Sequence, residues 1–160
     1  MDPNEVVGWK EVILRLGAAT LVGALVGLNR ELRGKPAGLR TIALVALGSA
    51  LFTLAGSGTV LDAGHSVNPD AVSRVIQGIV TGIGFLGAGV IIRDVRQHVR
   101  GLTTAATIWL SSGLGIACGV GAWKPVLVAT VLTMVVLALL PRVEDLLHRH
   151  FSVPPEKPPN

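Results

Sequence analysis

Five apolar runs dominate the chain, at residues 12–28, 39–56, 75–92, 102–120 and 126–140. A helix needs about 20 mostly apolar residues to cross a bilayer core, and each run approaches that length with its flanks. In lipid the backbone must satisfy its own polar groups, which leaves only helices and closed barrels. Barrel strands alternate apolar and polar residues, and these runs do not. The fold expected is an all-α membrane protein with five transmembrane helices. The last run is the shortest and lies between Pro125 and Pro141. Pro125 suits a first helical turn, where a missing N–H costs nothing. This places a transmembrane domain at 1–141 and a short cytoplasmic, amphipathic and proline-rich tail at 142–160. Only 15% of the 160 residues are charged, against about 25% in soluble domains. That argues against a soluble enzyme, a disordered chain or a coiled coil.

The formal net charge is +4. In a soluble protein the surplus would point to nucleic acid. In a membrane protein its placement matters more than its sum. Arg30, Arg33, Lys35 and Arg40 lie between runs 1 and 2, and Arg93, Arg96 and Arg100 between runs 3 and 4. Arg142, Arg149 and Lys157 follow run 5. The opposite side has Lys10 and Lys124, with Arg15 and Arg74 inside runs near it. Cytoplasmic loops carry the excess of Lys and Arg. The N-terminus is therefore expected outside and the C-terminus in the cytoplasm, with no nucleic acid as partner. Asp2 and Glu5 stand where a signal peptide needs basic residues, so the first run is expected to be retained. Cys118 is the single cysteine, which excludes an intrachain disulfide and a cysteine-based zinc framework.

Segment 30–51, RELRGKPAGLRTIALVALGSAL, aligns without a gap on segment 93–114, RDVRQHVRGLTTAATIWLSSGL, at an offset of 63. Identities include Arg30/Arg93, Arg33/Arg96, Gly38/Gly101, Thr41/Thr104 and Ser49/Ser112, and Glu31/Asp94 keeps its charge. Helices 1–2 and 3–4 are expected to be two copies of one hairpin. Both enter from outside, so the repeat is parallel, about an axis along the membrane normal. The fifth run has no counterpart and is expected to close the bundle or form a subunit contact.

Small residues four apart let helix backbones approach. Gly23 and Gly27, Gly78 and Gly82, and Gly115 and Gly119 are the candidate packing pairs. The third helix, with GIGFLGAGV at 82–90, is expected to be central and touched on several sides. Polar groups inside spans are functional candidates. Arg74, Gln77 and Thr81 share a face of run 3. With Thr103, Thr104 and Thr107 of run 4 they form a candidate polar stripe entering the bundle. Arg15 follows Glu11 by four residues, the favourable helical order for an ion pair, and is expected to be a shielded interfacial pair. No Asp, Glu or His lies in the middle of a run. A Mg²⁺ path usually includes carboxylates and a proton relay needs titratable groups, so coupled cation transport is disfavoured.

A second candidate site is cytoplasmic: Arg30, Glu31, Arg33 and Arg40 with Arg93, Asp94 and Arg96. The repeat would bring the two basic clusters together at the inner surface. Free N–H groups at the start of run 2, beside Arg40, favour an anion. Linker 29–40 has a net charge of +3 and linker 93–100 of +2. Such clusters bind phosphates, anionic lipid head groups or an acidic partner. The plainer alternative is topology signalling, with Arg–Glu clamps holding the loops. His65 and His98 are isolated. Glu144, Asp145, His148 and His150 lie close together after Pro141, in what is expected to be an interfacial helix rather than a metal site. Neither H-E-x-x-H, G-x-S-x-G nor a Walker loop occurs. No enzymatic activity, metal or cofactor is expected.

The stretches R-E-L-R-G-K-P-A-G-L-R-T (30–41), S-R-V-I-Q-G-I-V-T-G-I-G-F-L-G-A-G-V-I (73–91) and G-L-T-T-A-A-T-I-W (101–109) resemble the MgtC/SapB family of bacterial membrane proteins. The resemblance covers roughly residues 10–140. It implies a small multi-pass protein of the bacterial inner (plasma) membrane, linked to growth under magnesium limitation. It implies a regulator of other membrane machinery more than a magnesium carrier. The family's signature carries over onto Arg30, Glu31, Gly38, Arg40, Thr41, Arg74, Gln77, Gly82, Gly84, Gly87, Gly89, Arg93, Gly101, Thr103 and Thr104, none of them an established catalytic residue. Asn29 stands where the family usually has an acid, which weakens a cation site at that point.

The function expected is that of a non-enzymatic membrane protein modulating membrane machinery or ion homeostasis during magnesium limitation. The alternative is a transporter or channel for a small solute or ion. The partners expected are the lipid bilayer, with anionic lipids at its inner face, further copies of the chain in a homo-oligomer, and another membrane protein.

Overall fold

A computed structural model describes residues 8–57, 69–93 and 99–151, with the backbone alone at 92–93, 144–145 and 148–151. His65, Asp94, Arg96, His98 and the tail beyond 151 lie outside the described residues, as do the side chains of Arg93, Glu144, Asp145, His148 and His150. The chain forms α1 (Trp9–Leu32), α2 (Leu39–Gly56), α3 (Pro69–Val90), α4 (Leu102–Val120) and α5 (Trp123–Phe151). Each helix is long and apolar enough to cross a membrane. The protein is thus all-α in class, with five candidate spans.

Glycines set the entry of the two inner helices. Gly38 and Gly101, matched in the alignment at an offset of 63, are the N-cap residues of α2 and α4. Gly101 has φ 92°, a conformation that only glycine adopts freely, and a Cβ there would run into the carbonyl of Val90. The two linkers differ. The first is a turn through Gly34 and Ala37, both at positive φ. The second starts and ends in two-residue strands, β1 (Ile92–Arg93) and β2 (Val99–Arg100), paired antiparallel with Ile92 opposite Arg100. Strands this short carry no period, so the sequence does not announce them.

The centre of the bundle is α4, which packs on α1, α2, α3 and α5. It buries nine residues, from Thr104 to Gly119, whereas α3 buries Gly87 alone among its residues. This corrects the expectation that the third helix is central. A small-residue surface permits close approach but does not say on which side the neighbour lies. In α3 a Cβ on Gly78, Gly82, Gly84 or Gly89 would meet nothing within 4 Å. The pair Gly78 and Gly82 therefore does not pack within the chain. In α1 and α4 the approach is tight. A Cβ on Gly23 would stand 2.8 Å from the Ala46 Cβ, and one on Gly27 would stand 2.7 Å from the Leu39 Cα. One on Gly119 would stand 2.8 Å from the Ala50 carbonyl oxygen, and one on Gly115 would run into the Ala46 carbonyl.

Pro141 does not end the fifth helix, which continues to Phe151. The element therefore runs through the 141/142 boundary drawn between membrane domain and tail. A proline inside a helix removes one backbone hydrogen bond and crowds the preceding turn. Here that turn meets cationic donors. Arg142 donates to the Ala138 carbonyl at 3.1 Å, and Arg33 reaches the same oxygen at 3.4 Å.

Candidate functional site

The seam between α2 and α4 is built from hydroxyls. Ser49 donates its proton to the Val45 carbonyl at 2.8 Å. Its oxygen lies 2.9 Å from the Ser112 hydroxyl, which must then be the donor. Thr53 and Thr107 return their protons to carbonyls of their own helices, Ser49 and Thr103, both at 2.7 Å. Ser111 Oγ is buried and finds no partner among the described residues. Close backbone approach and hydroxyl pairs supply what lipid-immersed helices have in place of a hydrophobic drive.

Two arginines of α1 grip the two ends of α4. At one end Arg30, 4% exposed, donates to the Thr104 hydroxyl and reaches the Pro36 carbonyl at 3.4 Å. Its Nε and the neighbouring Asn29 Oδ1 are buried without partners among the described residues. At the other end Arg15 pairs with Glu11 at 2.8 Å and donates to the Gly119 carbonyl at 2.9 Å. The last-turn carbonyls of a helix carry partial negative charge and favour a cation. Arg15 is thus more than an interfacial pair: it ties the N-terminal part of α1 to the C-terminal end of α4. Residues 15 and 119 are 104 positions apart; nothing local in the sequence marks that contact beyond an arginine inside a span.

The basic face is arranged differently from the expectation. The first of the free N–H groups that begin α2 is already taken. Glu31 Oε2 accepts from the Leu39 N–H at 2.8 Å, and a Cβ on Gly38 would stand 2.6 Å from the same oxygen. The chain supplies its own anion at a position where helix N-termini favour one. Arg33 turns toward α5, while Arg30 turns inward to α4. Arg40 stays exposed beside the first turn of α2. The side chains of Arg93, Asp94 and Arg96, the second half of this candidate, fall outside the described residues.

The candidate polar stripe is split as well. Arg74, Gln77 and Thr81 are exposed on the outside of α3, and the Thr81 hydroxyl bonds back to the Gln77 carbonyl at 2.8 Å. They do not enter the bundle. On α4, Thr104 and Thr107 are buried and Thr103 is exposed. Thr104 serves Arg30, while Thr103 and Thr107 face a cleft of about 320 Å³ shared with Thr133 of α5. A larger groove of about 990 Å³ runs between α2 and α3. No group of three or more His, Cys, Asp or Glu able to hold a metal occurs among the described residues.

Five apolar helices and a basic face on the linker between the first two define a small multi-pass membrane protein. Residues 16–146 match the MgtC family, and the chain belongs to it. It is 43% identical over 143 residues to the protein SrpB of Synechococcus elongatus, covering 85% of this chain and 78% of that one. It is 49% identical over 128 residues to the protein MgtC of Salmonella typhimurium, covering 80% of this chain and 52% of that one. To the protein SapB of Bacillus subtilis it is 36% identical, covering 83% of this chain and 58% of that one. The chain therefore spans about half the length of the MgtC relative. No solved structure matches it.

Proposed function

We propose that this protein is a non-enzymatic modulator of other membrane machinery, or of ion homeostasis, when magnesium is scarce, and that it resides in the bacterial inner membrane. The observation that carries the reading is the outward face of α3. Arg74, Gln77 and Thr81 point away from the bundle on a helix that belongs in lipid. Polar side chains in that position are costly unless another helix receives them. Gly84 on the same helix has open space above it, which lets a second backbone come close. The face therefore suits a docking partner, either another membrane protein or a further copy of the chain. The interior supports the same reading over transport, because the hydroxyls of Ser49, Ser112, Thr53 and Thr107 are bonded across the α2–α4 seam or to their own helices. In this reading the N-terminus faces outside and the linker carrying Arg30 to Arg40 faces the cytoplasm.

Two measurements test it. A strain lacking the gene should grow poorly at low magnesium, and the wild-type chain should restore growth while Gln77→Leu with Thr81→Val, still folded and inserted, should not. In proteoliposomes the purified chain should carry no saturable flux of Mg²⁺, protons, polyamines or anions. Saturable flux abolished by Gln77→Leu would overturn the modulator in favour of a transporter. A C-terminal reporter should be active only in the cytoplasm.

A further inference from the structure

We propose that the groove between α2 and α3 holds one acyl chain of an anionic phospholipid, taken from the leaflet on the basic side, with its phosphate at Arg40. The groove lies on the other side of α3 from Gln77 and Thr81 and is independent of the docking face. Its walls are apolar: Leu44 and Phe52 from α2, and Ile79, Ile83 and Leu86 from α3. Gly78 and Gly82 line it without side chains, and nothing stands within 4 Å of where their Cβ atoms would be. Gly48 of α2 lines it in the same way, so side chains are missing from both walls.

Its shape and its charge select the occupant. At the far end α2 and α3 converge, and a Cβ on Gly56 would run into Val75. At the near end Arg40 and Thr41 supply the polar groups of the lining. Arg40 to Gly56 is 16 residues of helix, about 24 Å, enough for a chain from a leaflet whose hydrocarbon half is about 15 Å deep. A helix about 10 Å wide cannot follow a groove closed at one end, but a hydrocarbon chain can. Arg40 is exposed, and the linker around it carries a net charge of +3. Glu31 already holds the Leu39 N–H, and the exposed Arg40 guanidinium is the cation at the mouth that meets a phosphate. Ordinary lipid contact needs neither a recess nor a cation at its mouth.

The test uses the full chain in mild detergent, with native mass spectrometry after addition of phosphatidylglycerol or phosphatidylcholine. One phosphatidylglycerol should be retained, and Arg40→Gln should lower its preference over phosphatidylcholine by about fivefold. Gly82→Leu fills the recess and should lower retention of both lipids by about tenfold or more, with an unchanged melting temperature. Gly78→Leu serves as the second filling variant. Val128→Phe on the exposed face of α5 should change nothing. The proposal is overturned if the two lipids are retained equally by the wild type, or if the glycine variants retain lipid as the wild type does. It is likewise overturned if inorganic phosphate displaces the lipid completely, or if Gly82→Leu abolishes a dimer rather than a lipid.

Discussion

Ser49 and Ser112, 63 residues apart and matched in the alignment of the two linker–helix segments, share a hydrogen bond of 2.9 Å. The contact joins α2 and α4 at the same point of each, ten residues after the first residue of the helix (49 − 39 and 112 − 102).

Replacing either serine by alanine should therefore cost little and non-additively. The coupling in a Ser49→Ala, Ser112→Ala double-mutant cycle should be about 0.6 kcal/mol, the size found for interhelical hydrogen bonds in membranes. Reversible unfolding in mixed detergent measures it. A coupling of zero would mean that the hydroxyls satisfy their own helices equally well.

Glycines of similar sequence context should split into two classes. Gly115→Leu drives a side chain into the Ala46 carbonyl and should destabilise by about 3 kcal/mol or more. Gly78→Leu meets open space and should be neutral or stabilising by up to about 1 kcal/mol, since leucine is the better helix former. Thermal melts of the two purified variants separate the classes, and a large loss in Gly78→Leu would contradict the peripheral placement of α3.

Thr104 is the close acceptor for buried Arg30. Thr104→Val keeps the shape and strands the guanidinium, at an expected cost of about 1–3 kcal/mol. Adding Arg30→Met to that variant should recover part of the loss, because a removed charge no longer needs a partner. Unfolding midpoints of the single and double variants report this directly. An additive double variant would show that the pair does not interact.

Glu31→Ala leaves the Leu39 N–H without its carboxylate and should cost about 1 kcal/mol, the usual size of a lost N-terminal cap. Hydrogen exchange in the first turn of α2 should quicken by about fivefold, while the first turn of α4 stays protected. Equal quickening in both turns would point to general unfolding instead.

Much of this architecture is legible in the sequence because the bilayer imposes length and polarity along the chain. The bounds of α2 and α4 follow from apolar runs opened by Gly38 and Gly101. Partners across space leave fainter marks. Gly78…Gly82 and Gly115…Gly119 have the same spacing, yet one pair faces a groove and the other a neighbouring backbone. Spacing encodes a smooth surface, not what lies above it. Arg74, Gln77 and Thr81 likewise share a face by their period, but the period does not say whether that face looks in or out. Pro141 stays within α5, although a proline in sequence reads as a stop; the Arg33 contact to the Ala138 carbonyl near it joins residues more than 100 apart in the chain. On the basic face, the sequence brings Glu31 and Arg40 together without revealing that the carboxylate has already taken the first N–H of α2.

The grip of α1 on α4 has a consequence for how such a chain can vary. Arg15 and Arg30 are 15 residues apart on one helix, and so are Gly119 and Thr104 on its antiparallel neighbour (30 − 15 and 119 − 104). An added or missing residue in either stretch would shift everything beyond it by about 1.5 Å and turn it by about 100°. One arginine could then keep its partner only if the other lost its own. Whichever residues change between these points, the two helices must keep count.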